Sequence, residues 1–205
     1  MLGSVSVTPS MRTLPLRFAV MILFLAFSCE FMRSAEPYGV DLNGRPVHQL
    51  AGSDTRFVVL MFAASDCPIC NRYVPEIARL DHEYSSRGVR FWWVFPNPED
   101  TASIVARHNR EFAIRERTVL DSRQALVHLA HITVTPEAAI FRVAGDGMHQ
   151  IYRGRVDNRY MEIGRERPQP DHRDLELALD AALADKPIPQ PAGPPVGCSV
   201  VFLQK

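Results

Sequence analysis

An unbroken, valine-rich apolar run at 57–63 predicts a strand buried on both faces. Beyond it, Val74, Ile77, Ala78 and Leu80 recur at roughly helical spacing, predicting a helix from Cys67 to Tyr84. Pro75 falls inside that helix, where a proline removes a hydrogen bond and favours a kink. The aromatic and β-branched stretch at 89–95 predicts a second strand, stopped by Pro96 and Pro98. Glu99, Asp100 and Thr101 supply acids and a cap for a helix to Phe112, with Ile104, Val105, His108 and Phe112 on one face. A short strand at 118–120 leads to a helix at 122–131 that directs Ala125, Leu126, Leu129 and Ala130 inward. Strands at 138–142 and 149–153 flank the turn Gly145, Asp146, Gly147 and predict a hairpin; residues 154–164 read as a polar loop. Leu175, Ala178, Leu179, Ala182 and Leu183 make a clean stripe on a final helix. Ahead of the first long strand, Asn43-Gly44 between short apolar segments predicts a small β-hairpin.

Strands alternating with helices, closed by a hairpin, predict an α/β domain over 36–185 with a mixed sheet covered by helices. Residues 186–205 differ: five prolines between 186 and 195 predict an extended linker, followed by a short tail that contains Cys198. The N-terminus differs again. Arg12 and Arg17 precede ten apolar residues at 18–27, too short for an ordinary membrane span and suited to a signal-peptide core. Ala26, Phe27 and Ser28 form a small-x-small cleavage site, so 1–28 reads as a signal peptide or N-terminal anchor. Cleavage after Ser28 leaves Cys29 first, a candidate lipidation site, although Ala26 stands where lipoprotein signals usually carry leucine. Soluble export, lipidation and an uncleaved anchor all place the domain outside the cytoplasm: periplasmic, or attached to the membrane and facing the periplasm.

Composition changes this picture little. Lys+Arg and Asp+Glu both number 23, so charge gives no ground for a nucleic-acid partner. Four cysteines are too few for a disulfide-built scaffold and are read as chemistry. Cys67 and Cys70, spaced C-x-x-C, sit where a buried strand becomes a helix. The first helical turn offers unpaired N–H groups and partial positive charge, which favour a thiolate at Cys67. Cys70 is then within reach to attack a mixed disulfide. Structural zinc would want a second such pair, and haem attachment would want histidine where Asn71 stands. A purely structural disulfide across two residues would add little stability.

These features resemble the thioredoxin superfamily in its redoxin branch, the AhpC/TSA-like and TlpA-like proteins. The strand, Cys67-Pro68-Ile69-Cys70 and helix carry the resemblance, with Pro75 five residues after the second cysteine and Thr135-Pro136 before a strand. So does the Val196, Gly197, Cys198 ending. The resemblance implies a thioredoxin-like fold and an exported thiol–disulfide oxidoreductase with a redox-active Cys67–Cys70 disulfide. Cys67 would be the nucleophile, Cys70 the resolving thiol and Pro136 a cis-proline beside them. Thr135 would offer a backbone edge to an extended peptide substrate. The implied partners are protein thiols or disulfides and a redox partner; no metal or other cofactor is required.

The match has departures. Pro68-Ile69 replaces thioredoxin's Gly-Pro, which leaves the direction of electron flow open. The strand before the motif lacks thioredoxin's buried acid; Asp66 is the nearest and reads as a helix N-cap. Ala64 and Leu60 stand where a peroxiredoxin carries threonine and proline, which argues against peroxidase chemistry. Cys198 is either a small residue packed under the tail or a third thiol, for a regulatory disulfide or as a copper ligand with Cys67 and Cys70. His131 is a further candidate ligand, or simply a helix-end residue. Copper delivery and a non-catalytic interaction module are the two rivals to an oxidoreductase. Trp92 and Trp93, being adjacent, should pack on opposite faces of their strand.

Overall fold

The computed structural model describes residues 36–203. The expected signal segment at 1–28 and Cys29 lie outside the described residues. Among those described, no helix is long and apolar enough to cross a membrane.

Strand β1 (Gly39–Val40) and strand β2 (Pro46–Val47) form the expected hairpin. Strand β3 (Phe57–Phe62) follows, then helix α1 (Pro68–Tyr84) and strand β4 (Val89–Phe95). Next come α2 (Ala102–Glu111), β5 (Arg117–Leu120) and α3 (Ala125–Ala130). A two-residue strand β6 (Val134–Thr135) leads into the long pair β7 (Glu137–Ala144) and β8 (Gly147–Gly154). The chain closes with β9 (Tyr160–Glu162), β10 (Arg165–Glu166), α4 (Asp174–Leu183) and β11 (Cys198–Ser199).

Seven strands make one mixed sheet in the order β2, β1, β5, β4, β3, β7, β8. The strands β3, β4 and β5 run parallel, because helices connect them; β7 returns antiparallel to β3. Side chains of β3 alternate between two cores. Phe57, Val59 and Met61 pack with Ile77 and Leu80 of α1, Val105 of α2 and Leu175 and Leu179 of α4. Val58, Leu60 and Phe62 pack with Leu126, Val127 and Ala130 of α3 on the other face. All six residues of β3 are buried, which accounts for a continuous apolar run rather than an alternating one. Trp92 and Trp93 do face opposite cores, with their indole N–H groups donating to the Leu50 carbonyl and the Glu116 carboxylate. The fold is thioredoxin-like.

Several local expectations are corrected. Helix α3 starts three residues later than its apolar pattern suggests: the buried Asp121 carboxylate accepts the N–H groups of Leu126 and Val127, and Gln124 adopts φ 59°. That start buries Val127 and leaves Leu129 exposed. Ala78 is likewise exposed, while Tyr73 and Tyr84 take part in the buried face of α1. The polar stretch after β8 is not all loop: β9 and β10 pair antiparallel within it.

The largest correction concerns 186–205. It is not a free linker. The Ala192 N–H donates to Asp174 Oδ1 at 2.9 Å, and β11 pairs antiparallel with β6.

Candidate active site

Strand β3 delivers the chain to the upper edge of the sheet through Ala63, whose N–H donates to the Val94 carbonyl at 2.9 Å. Ser65 is then tied down by Asp100, which accepts from its hydroxyl and, at 3.4 Å, from its N–H. The next turn opens α1. Cys67 itself is the N-cap, with φ −88° and ψ 110°, and Pro68 occupies the first turn, where a missing N–H costs nothing. Asp66, expected to cap the helix, instead sits exposed beside the cleft. The helix begins at Pro68, so the cap position falls to Cys67, whose sulfur accepts the Cys70 N–H at 3.4 Å.

Both motif cysteines are thiols here rather than a disulfide, and both are buried, Cys67 to 3% and Cys70 to 1% exposure. Their titrations diverge. A hydrogen bond from the Cys70 thiol is the main influence bringing Cys67 down to about 6. The N–H groups of Cys70 and Ile69 and the Cys198 thiol add to this against the opposing cost of burial. Burial, and then the Cys67 sulfur, push Cys70 well above its ordinary value. The surroundings therefore favour the thiolate on Cys67 and keep the proton on Cys70.

Thr135-Pro136 is a cis peptide bond, and the Thr135 carbonyl oxygen lies 3.9 Å from Cys67 Sγ. The loop that carries it is held by Glu137, which is buried, accepts the Thr133 N–H at 3.2 Å and lies 3.5 Å from Arg153. Asn71, just after the motif, meets the buried imidazole of His108 at 2.7 Å. Sequence reading placed His108 on the core face of α2 and did not find this contact. Asp100 and Glu137 were also missed as supports. Their one signal was an acid flanked by elements that should be buried.

Cys198 does come to the site. It is the register partner of Thr135, and it lines one cleft with Asp66, Cys67, Pro96, Thr135 and Val200. Partial burial and the neighbouring Cys67 thiolate push its pKa up. The Thr135 edge expected to be open to a peptide is therefore covered by the chain's own tail. His131 is exposed at the end of α3, and its carbonyl accepts from Arg153 at 2.5 Å. Among the described residues no three His, Cys, Asp or Glu side chains are grouped as a metal site.

The Redoxin family model matches residues 32–136, from before the hairpin through the cis-proline. The chain belongs to the redoxin family. None of the curated proteins matches this redoxin. Among solved structures it is similar to an uncharacterized conserved protein from Geobacillus kaustophilus, 23% identical with a TM-score of 0.68. That similarity covers 84% of this redoxin and 91% of the other chain. A hypothetical protein from Sinorhizobium meliloti 1021 is 20% identical with a TM-score of 0.65, covering 82% of this redoxin and 91% of its own chain. These two share the redoxin's fold, including the region beyond the family match.

Proposed function

We propose that this redoxin is a thiol–disulfide oxidoreductase acting on protein or small dithiols and disulfides outside the cytoplasm. One observation carries the reading: two adjacent buried thiols whose surroundings drive their ionisation apart, with the cis-proline carbonyl beside the more acidic one. Export rests on the apolar segment at 18–27 alone.

In the reducing direction the Cys67 thiolate attacks one sulfur of a substrate disulfide. A mixed disulfide forms, and the other substrate sulfur leaves as a thiolate and takes up a proton. Cys70 then loses its proton and attacks Cys67 Sγ. The second substrate thiol is released, and the enzyme holds the Cys67–Cys70 disulfide. Two electrons have passed from the pair to the substrate; a substrate dithiol drives the same steps backwards. The high pKa of Cys70 delays its attack until Cys67 is no longer an anion, because the Cys67 thiolate is one of the two main causes of that high value.

The test is the Cys67→Ser variant in insulin reduction and in oxidation of a model dithiol. Both activities should fall to background. Full activity in this variant would overturn the reading.

A further inference from the structure

The tail after the prolines is fastened at successive points. Gly197 passes so close to the Thr135 carbonyl that a β-carbon there would collide with it, so only glycine fits. Cys198 and Ser199 are the antiparallel partners of Thr135 and Val134. The Val200 N–H donates to the Thr133 carbonyl at 2.9 Å. Gln124, fully buried, then grips the next turn of chain with both ends of its amide. Its Nε2 donates to the Val201 carbonyl at 2.7 Å, and its Oε1 accepts the Leu203 N–H at 3.0 Å. Phe202 lies against the His128 ring.

This is how an extended peptide adds to an exposed strand edge, with main-chain bonds fixing register and one side chain directed into the site. The register sets Cys198 opposite Thr135, whose carbonyl is 3.9 Å from Cys67 Sγ. The residue at the substrate position is therefore itself a thiol. It is also the exposed one of the three: Cys67 and Cys70 are buried.

We propose that Cys198 is a third redox thiol of this site, exchanging with the oxidised pair so that a Cys67–Cys198 disulfide carries the oxidising equivalent to the protein surface. The inference rests on the oxidoreductase reading above. The Cys198 thiolate attacks Cys67 Sγ of the Cys67–Cys70 disulfide. The Cys67–Cys198 bond forms, the Cys67–Cys70 bond breaks, and Cys70 leaves as a thiolate that takes up the proton Cys198 gave away. No net oxidation occurs in this step. A thiolate of a substrate dithiol then attacks the exposed Cys198 sulfur, and Cys67 leaves. Cys67 is the best leaving group of the three because its thiolate is the most stabilised. The second substrate thiol resolves the resulting mixed disulfide and frees Cys198. The substrate has lost two electrons and the three-thiol site has gained them.

The full chain, equilibrated in glutathione buffers, acid-quenched, alkylated and mapped by peptide mass, tests this, with Cys29 assigned separately. Wild type should yield both Cys67–Cys70 and Cys67–Cys198 linked peptides. The Cys70→Ser variant should yield Cys67–Cys198 in place of a Cys67 glutathione adduct. Gly197→Ala, which lifts the tail, should lose the Cys67–Cys198 peptide and keep Cys67–Cys70. If Cys67–Cys70 forms in wild type while Cys198 is alkylated in both wild type and Cys70→Ser, the third-thiol inference is overturned and the oxidoreductase reading stands. If Cys67 is never oxidised, the oxidoreductase reading fails, and this inference with it. Should Cys70→Ser not fold, the wild-type map decides alone.

Discussion

Cys198 and Thr135 are cross-strand partners, joined by a two-residue ladder that lays residues 198–199 over the cleft beside Cys67. Gly197 is what lets that ladder close, since its neighbour across the gap is the Thr135 carbonyl itself. Replacing Gly197 by alanine should therefore release the tail without unfolding the sheet. Hydrogen exchange should show faster exchange of the Val200 and Leu203 amides, with strands β3 and β7 unchanged. Global stability should fall by about 1–3 kcal/mol, the usual cost of overfilling a tight contact. Unaltered tail protection would mean that the close approach does not hold it.

Gln124 should anchor the same segment from its far side. Gln124→Ala removes both amide contacts to residues 201 and 203 and leaves their main-chain groups to water. Each such bond is worth about 0.5–1.5 kcal/mol. The expected result is faster alkylation of Cys198 by a bulky maleimide, with Cys67–Cys70 disulfide formation retained. An unchanged Cys198 rate would place the anchor elsewhere.

Cys67 should react at a pH where an ordinary cysteine is still protonated. Its alkylation by iodoacetamide, followed by peptide mass, should rise through a midpoint near pH 6 rather than 9.0. A midpoint near 9 would show that the Cys70 hydrogen bonds do not hold a thiolate. The stability of the reduced protein should follow the same group. Its pKa is lower folded than unfolded, so the unfolded chain binds the extra proton between about pH 6 and 9. Stability therefore increases as pH rises through that window and is lost as pH falls through about 6. Cys70, displaced upward, opposes this only above its unfolded value of 9.0. Cys67→Ser should lack the gain.

Asp121 should make the turn into α3 sensitive to pH. Its Oδ2 accepts the N–H groups of Leu126 and Val127, at 2.9 and 3.0 Å, while its buried Oδ1 has no partner. Burial outweighs those N–H groups and pushes the carboxyl up to about 7 from 3.8. Because the folded value is the higher one, its favourable contribution is complete below pH 3.8 and lost as pH rises through about 7. Asp121→Asn cannot ionise and keeps an oxygen for the helix. Urea denaturation at about pH 4 and about pH 8 should show the variant gaining on wild type at the higher pH. A difference that does not change with pH would show Asp121 to ionise like an exposed aspartate.

The helices and long strands were legible because each carries a complete local pattern. The run at 57–62 could only be a strand buried on both faces, and the stripe from Leu175 to Ala182 could only be one side of a helix. The turn into α3 was not legible. Its start depends on a buried aspartate and a left-handed glutamine, and neither leaves a periodic trace. The supports of the site, Asp100 under Ser65 and Glu137 under the cis-proline loop, were hidden for the same reason: each joins segments far apart in the chain or turns back on its own loop.

By itself the sequence determined the order of elements, the mixed α/β sheet, and a C-x-x-C pair at the junction of a buried strand and a helix. Those follow from periodicity and from local chemistry, which act over a few residues. The tertiary structure alone decided that Cys67, rather than Asp66, caps the helix, and that the hydrogen bond from Cys70 to Cys67, with the deeper burial of Cys70, separates the two thiols in acidity. It also decided that the proline-rich end is no free linker but a strand laid on Thr135. Main-chain pairing between residues some sixty positions apart depends on where two backbones meet, and side-chain pattern does not encode that.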